Sequence, residues 1–533
     1  LNKAELISVA IKNIEKIRLD AFFENKFQNL VHKKFIYFFF LINCILIFLT
    51  FNHPIGDFGN YYYGSKLFLQ GANPLRFYQD IHFFNTEIRD FERGVFFENY
   101  VPVPPFSLLF YLPFTFLKLS IAKLVFNLFS LFIFCFSLNR LIRELKFFNV
   151  WFYFLPLIFL QPLFSNFHHG QTYLLVTALL FEFYIAFNKH KNVRIGWIIT
   201  LLFALKIFPA FIAIMLIFKK EWKAIRWILI FSTLLGFTCY FTIGFETLNY
   251  YYLKVLPRLV SNDITAPFYF FNQSFYTFLL NAFVQHPFLN LSPIINAPII
   301  AVVIQLLFYA LVFSFYMKIV LGQNLFISFF VTLLVLFLLN KYSTVYGLIV
   351  LFPFIFLFKD LPAKAIFIIS ILVFIINNIP IYKLSDFPLL LQYPRVWMLM
   401  VIFILLVVML KPGFNLKYFM VCLLIFTLPS LAFLKYVSDG AIEIRPKTGI
   451  VYDFEVLNDR IKFYTCLGNR DSVEYYNFVA QSIDTTKLER IKNKFLPANK
   501  AVVANKNTLI YMADDFNGVG MYYLKLRTIK PKQ

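Results

Sequence analysis

The sequence predicts an all-α polytopic membrane protein followed by a small extracytoplasmic C-terminal domain, α/β or β-rich. Three observations predict it. Hydrophobic residues fill 60% of the 533 positions and mean hydropathy is +0.70, more apolar surface than a soluble chain of this length can hide from water. Apolar runs recur at close to the roughly 20 residues that a helix needs to cross a bilayer. Short basic groups punctuate those runs: Lys33/Lys34, Arg140/Arg143/Lys146, Lys189/Lys191/Arg194, Lys219/Lys220/Lys223/Arg226 and Lys411/Lys417. Cytoplasmic loops set orientation in this way. The net charge of +22 is therefore dispersed and forms no continuous face, which argues against nucleic acid. A bilayer with anionic headgroups is its natural companion.

Residues 1–34 mix charged residues with Leu and Ile and read as a cytoplasmic amphipathic lead-in, not as a cleavable signal peptide. A transmembrane domain follows over 35–435, with spans near 35–51, 121–141, 151–167, 171–187, 225–245, 298–318, 324–339, 346–358, 365–380, 395–411 and 417–434. Residues 101–118 carry four prolines, which disfavours a straight span, and a dip or surface segment is expected. Residues 195–218 carry Lys206 and Pro209 at mid-run and read as a broken pair of passes. Irregular backbone at membrane depth requires cover by protein or a watery cavity, so both exceptions point to a cavity. The total is about 13 spans, with the N-terminus inside and the 52–120 loop and the C-terminus outside. From Tyr436 the chain turns polar, with alternating runs such as IVYDFEV and TLIYMA that suit strands. The stretch 477–494 could be helical. The five cysteines show no metal or disulfide spacing, and neither a cofactor nor a metal is implied.

Six of the thirteen acidic residues between 35 and 434 lie in the first outer loop: Asp57, Asp80, Glu87, Asp90, Glu92 and Glu98. Asp57, between Gly56 and Gly59, follows directly on the first span. It could act as a general base on an incoming hydroxyl, or cap the helix starting near Phe58, and the two roles are compatible. Tyr61 and Tyr62, with Tyr100 before the proline-rich stretch, offer rings and hydroxyls for a sugar, or an interfacial aromatic belt. His168, His169 and Gln171 share a short outer turn, where they could meet a hydroxyl or phosphate. Adjacent histidines without a third ligand make a poor metal site. Lys206 lies inside an apolar run, where an ionisable group is a functional hypothesis by default; snorkelling competes. Asn272, Gln273 and Ser274 sit in a long outer loop, as site residues or as a helix N-cap.

Five strings in order, GDFGNYYYGSKLFLQGANPLRFY, YVPVPPFSLLFYLPFTFL, HHGQTYLLVTALLF, the K-x-x-P core of 195–224 and FNQSFYTFL, resemble the glycosyltransferase family 87 membrane mannosyltransferases of the GT-C superfamily. The resemblance implies a GT-C-like fold with outer juxtamembrane helices. It also implies an enzyme working at the outer face of the membrane that moves a sugar, mannose favoured, from a polyprenyl-phosphate donor to an extracytoplasmic glycan or glycolipid; the abundance of Phe, Asn, Lys and Ile points to a bacterial plasma membrane. By that resemblance Asp57 falls on the catalytic base of an inverting single displacement. Lys206, His168 and His169 would hold the departing phosphate, with Lys206 favoured. Gln171, Asn272 and Gln273 would orient sugar or acceptor. Where the family often carries an acidic residue or His after position 340, KYSTVYGL offers Lys341, Tyr342, Ser343 and Tyr346. A lipid-linked glycan transporter or a non-catalytic envelope assembly protein are the alternatives. A transporter predicts inverted repeats, and the sequence displays none.

Overall fold

The computed structural model describes residues 31–431, apart from 52–55, 80, 92–97, 99, 147, 261–267, 286–289, 291 and 360, and beyond 431 a set of strands between 442 and 528. The lead-in over 1–30 and the helix expected after Asn477 lie outside the described residues. The body is a bundle of apolar helices. Among the described residues four are long and apolar enough to cross a membrane: α1 (Val31–Leu49), α5 (Leu119–Leu145), α9 (Trp222–Ile243) and α11 (Pro298–Gly322). Between α1 and α5 lie the loop helices α2 (Phe58–Leu69), α3 (Pro74–Gln79) and α4 (Ile81–Phe91).

Helices α6 (Leu160–His169) and α7 (Tyr173–Asn188) form a pair bent by 119° that can count as a fifth span. Shorter apolar helices fill the rest: α8 (Asn192–Leu205), α12 (Leu325–Leu339), α13 (Ala363–Asn378), α14 (Pro394–Leu410) and α15 (Leu416–Ser430). The about 13 full spans expected from hydropathy thus appear as fewer long helices and several short ones. Local breaks cut apolar runs that composition alone leaves whole. Gly170, left-handed at φ 61°, ends α6. Lys206 is extended and ends α8 before Pro209. Residues Tyr346–Lys359, expected as a span, form a 3-10 helix with Pro353 inside. Residues 101–118 are short turns, Ser107–Phe110 and a 3-10 segment at Leu112–Phe116, and not a span.

The bundle packs around Phe352 of that 3-10 helix. The rings of Phe39, Phe134, Phe159 and Phe181 surround it at centroid distances of 4.9–6.0 Å. Phe241, Leu424 and Leu428 stand 79% exposed on helix faces turned away from the core. Isolated in water such faces would be a liability; in a bilayer they meet acyl chains.

Two ends of the bundle differ in charge. At one end Glu182 pairs with Arg140 at 3.1 Å and with Arg194, and Glu144 pairs with Lys189 at 2.6 Å. The basic loops around 142–149 and 188–194 therefore share one end. Helix α7 spans about 24 Å at 1.5 Å per residue and α8 returns beside it. Gln171, before α7, and Lys206, after α8, consequently meet at the other end. Beyond the bundle, β2 (Ile450–Val456), β3 (Arg460–Leu467) and β4 (Arg470–Asn477) form one antiparallel sheet. A second sheet has the order β1-β7-β6-β5, from Ile442–Ile444, Tyr522–Thr528, Thr508–Asp514 and Ala501–Asn505.

Candidate active site

The elbow between α6 and α7 brings the loop that follows α1 to the bundle. The N–H of Gln171 bonds the Asn166 carbonyl at 2.9 Å, and that of Gly170 the Phe167 carbonyl at 3.3 Å. A side chain at Gly170 would place its Cβ 2.6 Å from Cβ of Phe58. Only glycine accepts both the left-handed turn and that approach. The start of α2 thus lies against the elbow, and Asp57 lies beside Gln171.

Four side chains then form one directed chain. Lys206 Nζ donates to the Tyr61 hydroxyl at 2.9 Å, Tyr61 donates to Gln171 Oε1 at 3.3 Å, and Gln171 Nε2 donates to Asp57 Oδ2. A cation stands at one end, an anion at the other, and every donor points toward the anion. Bonds aligned in this sense polarise one another. Tyr61 is clamped by stacking on Tyr111, centroids 4.7 Å apart and planes 9° from parallel. Burial first, and the charge of Asp57 second, raise the Tyr61 phenol above its ordinary pKa, so it remains a neutral link. Lys206 also lies 5.6 and 5.5 Å from the ring centroids of Tyr61 and Tyr173, a cation–π setting.

Asp57 occupies the N-cap position of α2, yet its side chain makes no capping hydrogen bond. The capping role is therefore not taken up, and the carboxylate faces the elbow. Close by, Glu98 is buried at 5% exposure and packs against Gly59, where a Cβ would collide with its carboxyl oxygen. Burial, and then the Asp57 charge, push the Glu98 carboxyl well above its usual range.

The other residues expected at the site go to different places. His169 touches the loop at Gly56, where a Cβ would sit 2.5 Å from its Nδ1, and His168 lies ring to ring beside it at 4.7 Å. Tyr62 donates to the Leu117 carbonyl at 2.8 Å, and Tyr100 is fully buried against Phe77, Tyr78 and Phe84. Neither is brought into the Asp57 chain. Asn272 Nδ2 donates to the Lys341 carbonyl at 3.0 Å and its Oδ1 accepts from the Ser343 N–H at 2.8 Å. Gln273 donates to the carbonyls of Phe270 and Gln392. Ser274 caps helix α10 (Phe275–Phe283) through the Thr277 N–H at 3.1 Å, as the N-cap reading expects. This segment latches the 341–343 turn.

Tyr346, named above only for its place in KYSTVYGL, sets its ring 5.8 Å from His169 and 5.4 Å from Tyr173; sequence reasoning passed over Lys123 on α5. Among the described residues no cluster of three His, Cys, Asp or Glu is placed to hold a metal. An open groove of about 400 Å³ lies away from Asp57, lined by residues such as Phe237, Tyr240, Leu248 and Tyr252. Tyr252 stacks on Phe203, three residues before Lys206, at 6.3 Å.

Comparison with protein families finds a match of residues 103–374 to glycosyltransferase family 87. Comparisons with curated proteins and with solved structures return no match. The matched region holds the elbow, Gln171 and Lys206; Asp57 and Tyr61 precede it.

Proposed function

The chain belongs to glycosyltransferase family 87 and is a membrane glycosyltransferase; from that premise we propose that Asp57 is the base of an inverting transfer from a polyprenyl-phosphate sugar. The acceptor hydroxyl gives its proton to Asp57 as its oxygen bonds the anomeric carbon. The bond from that carbon to the phosphate oxygen breaks, and polyprenyl phosphate leaves with the electron pair. The acceptor is a glycan or glycolipid, and mannose stands first among the sugars by family resemblance.

The observation that carries this reading is the chain from Lys206 through Tyr61 and Gln171 to Asp57. Gln171 takes one carboxylate oxygen and leaves the other for a substrate proton. Lys206 uses one ammonium hydrogen on Tyr61 and keeps two for the phosphate, where fixed positive charge is worth most. The apolar groove reached through Phe203 and Tyr252 gives the isoprenoid chain a surface to follow from that phosphate. In this reading Gln171 and Tyr61 hold base and cation at a set separation, which suits a displacement needing both groups aligned on one sugar.

The test is a panel of polyprenyl-phosphate sugars presented to the purified protein in lipid, with released polyprenyl phosphate as readout. Turnover with one donor supports the reading and names the sugar. Transfer of intact donor across the bilayer without release of polyprenyl phosphate would contradict it.

A further inference from the structure

Two arms of side chains run from Asp57 to Lys206, and the mechanism just proposed uses only one of them. The first is the hydrogen-bonded arm through Gln171 and Tyr61. The second is built of rings. His169 ends α6 against Gly56, next to Asp57, where a Cβ would stand 2.5 Å from its Nδ1. The Tyr346 ring lies 5.8 Å from His169 and 5.4 Å from Tyr173, centroid to centroid. The Lys206 ammonium in turn lies 5.5 Å from the Tyr173 centroid. The two arms therefore share both ends, the carboxylate and the cation.

They differ in what they leave open. Gln171 and Tyr61 are 2% and 3% exposed, and Tyr111, stacked on Tyr61, is fully buried. Asp57, His169, Tyr173, Lys206 and Tyr346 are each partly exposed. The hydrogen-bonded arm is thus a closed backing, and a molecule that reaches Asp57 and Lys206 together meets the rings. Those rings are firmly seated. Tyr346 opens the 3-10 helix whose Phe352 lies at the centre of the bundle, and Tyr173 opens α7. A Cβ on Gly347 would lie 3.6 Å from the Tyr173 ring, so the two elements pack together here. Side chains held by rigid elements keep the geometry that a binding face needs.

We propose that Tyr346, with Tyr173 beside it, is the platform on which the transferred sugar lies. This rests on the reading of Asp57 as base and Lys206 as phosphate contact. In-line displacement puts the anomeric carbon between the acceptor oxygen at Asp57 and the phosphate oxygen at Lys206. The sugar therefore spans the interval that the rings line. A pyranose presents hydroxyls at its edge and C–H bonds on its face. Those weakly positive hydrogens suit the negative face of a phenol ring, while the polar groups at either end fix the orientation. The ligand is the hexose of the lipid-phosphate donor, and the isoprenoid is left to the groove beyond Phe203 and Tyr252.

The experiment measures equilibrium binding of two ligands to the full chain in lipid, with no acceptor present. One is polyprenyl phosphate carrying the sugar that the donor panel names, mannose first; the other is the same lipid without sugar. Tyr346→Leu, which keeps an apolar side chain and loses the ring, should weaken the sugared ligand by about 5- to 10-fold, the scale of one aromatic face contact. Bare polyprenyl phosphate should bind it as it binds wild type. Tyr346→Phe should bind both ligands normally. Equal losses for the two ligands in Tyr346→Leu overturn the proposal, because they mark a general disturbance of the site, and so does no loss for either. A Tyr346→Phe variant as weak as Tyr346→Leu also overturns it, since the hydroxyl and not the ring then holds the sugar. Asp57→Asn separates the two levels: if it transfers sugar normally the base reading itself fails, while an inert Asp57→Asn beside an unaltered Tyr346→Leu defeats only the platform.

Discussion

Two sets of buried amides in this molecule do opposite things. Gln171 bonds side chains, a carboxylate on one face and a phenol on the other. Asn272 and Gln273 bond backbone, at Lys341, Ser343, Phe270 and Gln392. Both segments look alike in sequence, polar triplets at the mouths of apolar runs. The difference lies in the partners. An amide that satisfies carbonyls and N–H groups fixes a loop, and its loss is felt as stability. An amide that bridges ionisable groups fixes a charge relation, and its loss is felt as rate. The NQS segment therefore holds the 341–343 turn in place, while in the proposed mechanism the elbow arranges the chemistry.

Substitutions can break this comparison at several strengths. Removing the carboxylate in Asp57→Ala should lower transfer by about 10²–10⁴-fold while donor still binds. Lys206→Met should lower kcat by about 10²–10³-fold, measured as released polyprenyl phosphate, because the leaving charge loses its partner. Gln171→Ala should cost about 10- to 100-fold in kcat with a near-normal melting curve, because Asp57 and Tyr61 lose their common link. Asn272→Ala should behave in the reverse manner. It strands the Ser343 N–H, while Ser274 still reaches the Lys341 carbonyl at 2.9 Å. A loss of about 1–3 kcal/mol in stability with kcat nearly intact is expected. If Asn272→Ala slows transfer as much as Gln171→Ala does, the division between latch and elbow fails.

The smallest effect concerns Glu98. Its carboxyl is pushed up by burial and by Asp57, so the folded state binds this proton more tightly than the unfolded chain does. The associated stability is complete below the ordinary carboxylate pKa and is lost as pH rises toward the folded value. Glu98→Gln, neutral at every pH, should flatten the dependence of thermal stability on pH above about pH 4.5. A variant as pH-sensitive as the parent would show that Glu98 is not the titrating group.

Much of this arrangement was legible in the chain. Gly170 between two apolar runs announces the elbow, and Lys206 with Pro209 announces the break, since each is a local violation of helix chemistry. Asp57, Tyr61, Gln171 and Lys206 were all visible as polar residues in costly places. Their order in one hydrogen-bonded chain was not, because contacts across 110 to 145 residues leave no local trace. Tyr62 and Tyr100 read as sugar platforms because a tyrosine serves a core and a site equally well, and only packing decides. Lys123 escaped notice at the edge of an apolar run, where a lysine ordinarily snorkels; folded, it is 3% exposed. The 3-10 helix at Tyr346–Lys359 reads by hydropathy as an ordinary span, since apolar content does not distinguish helix types.

The central claim is that Asp57 performs chemistry and does not merely hold the loop. Its most direct test is single-turnover release of polyprenyl phosphate by wild type and Asp57→Asn, both saturated with donor and acceptor. Asparagine keeps the shape of the side chain and removes the base. Bound donor that stays intact in Asp57→Asn while wild type releases polyprenyl phosphate is the predicted result. Release at the wild-type rate would contradict the account.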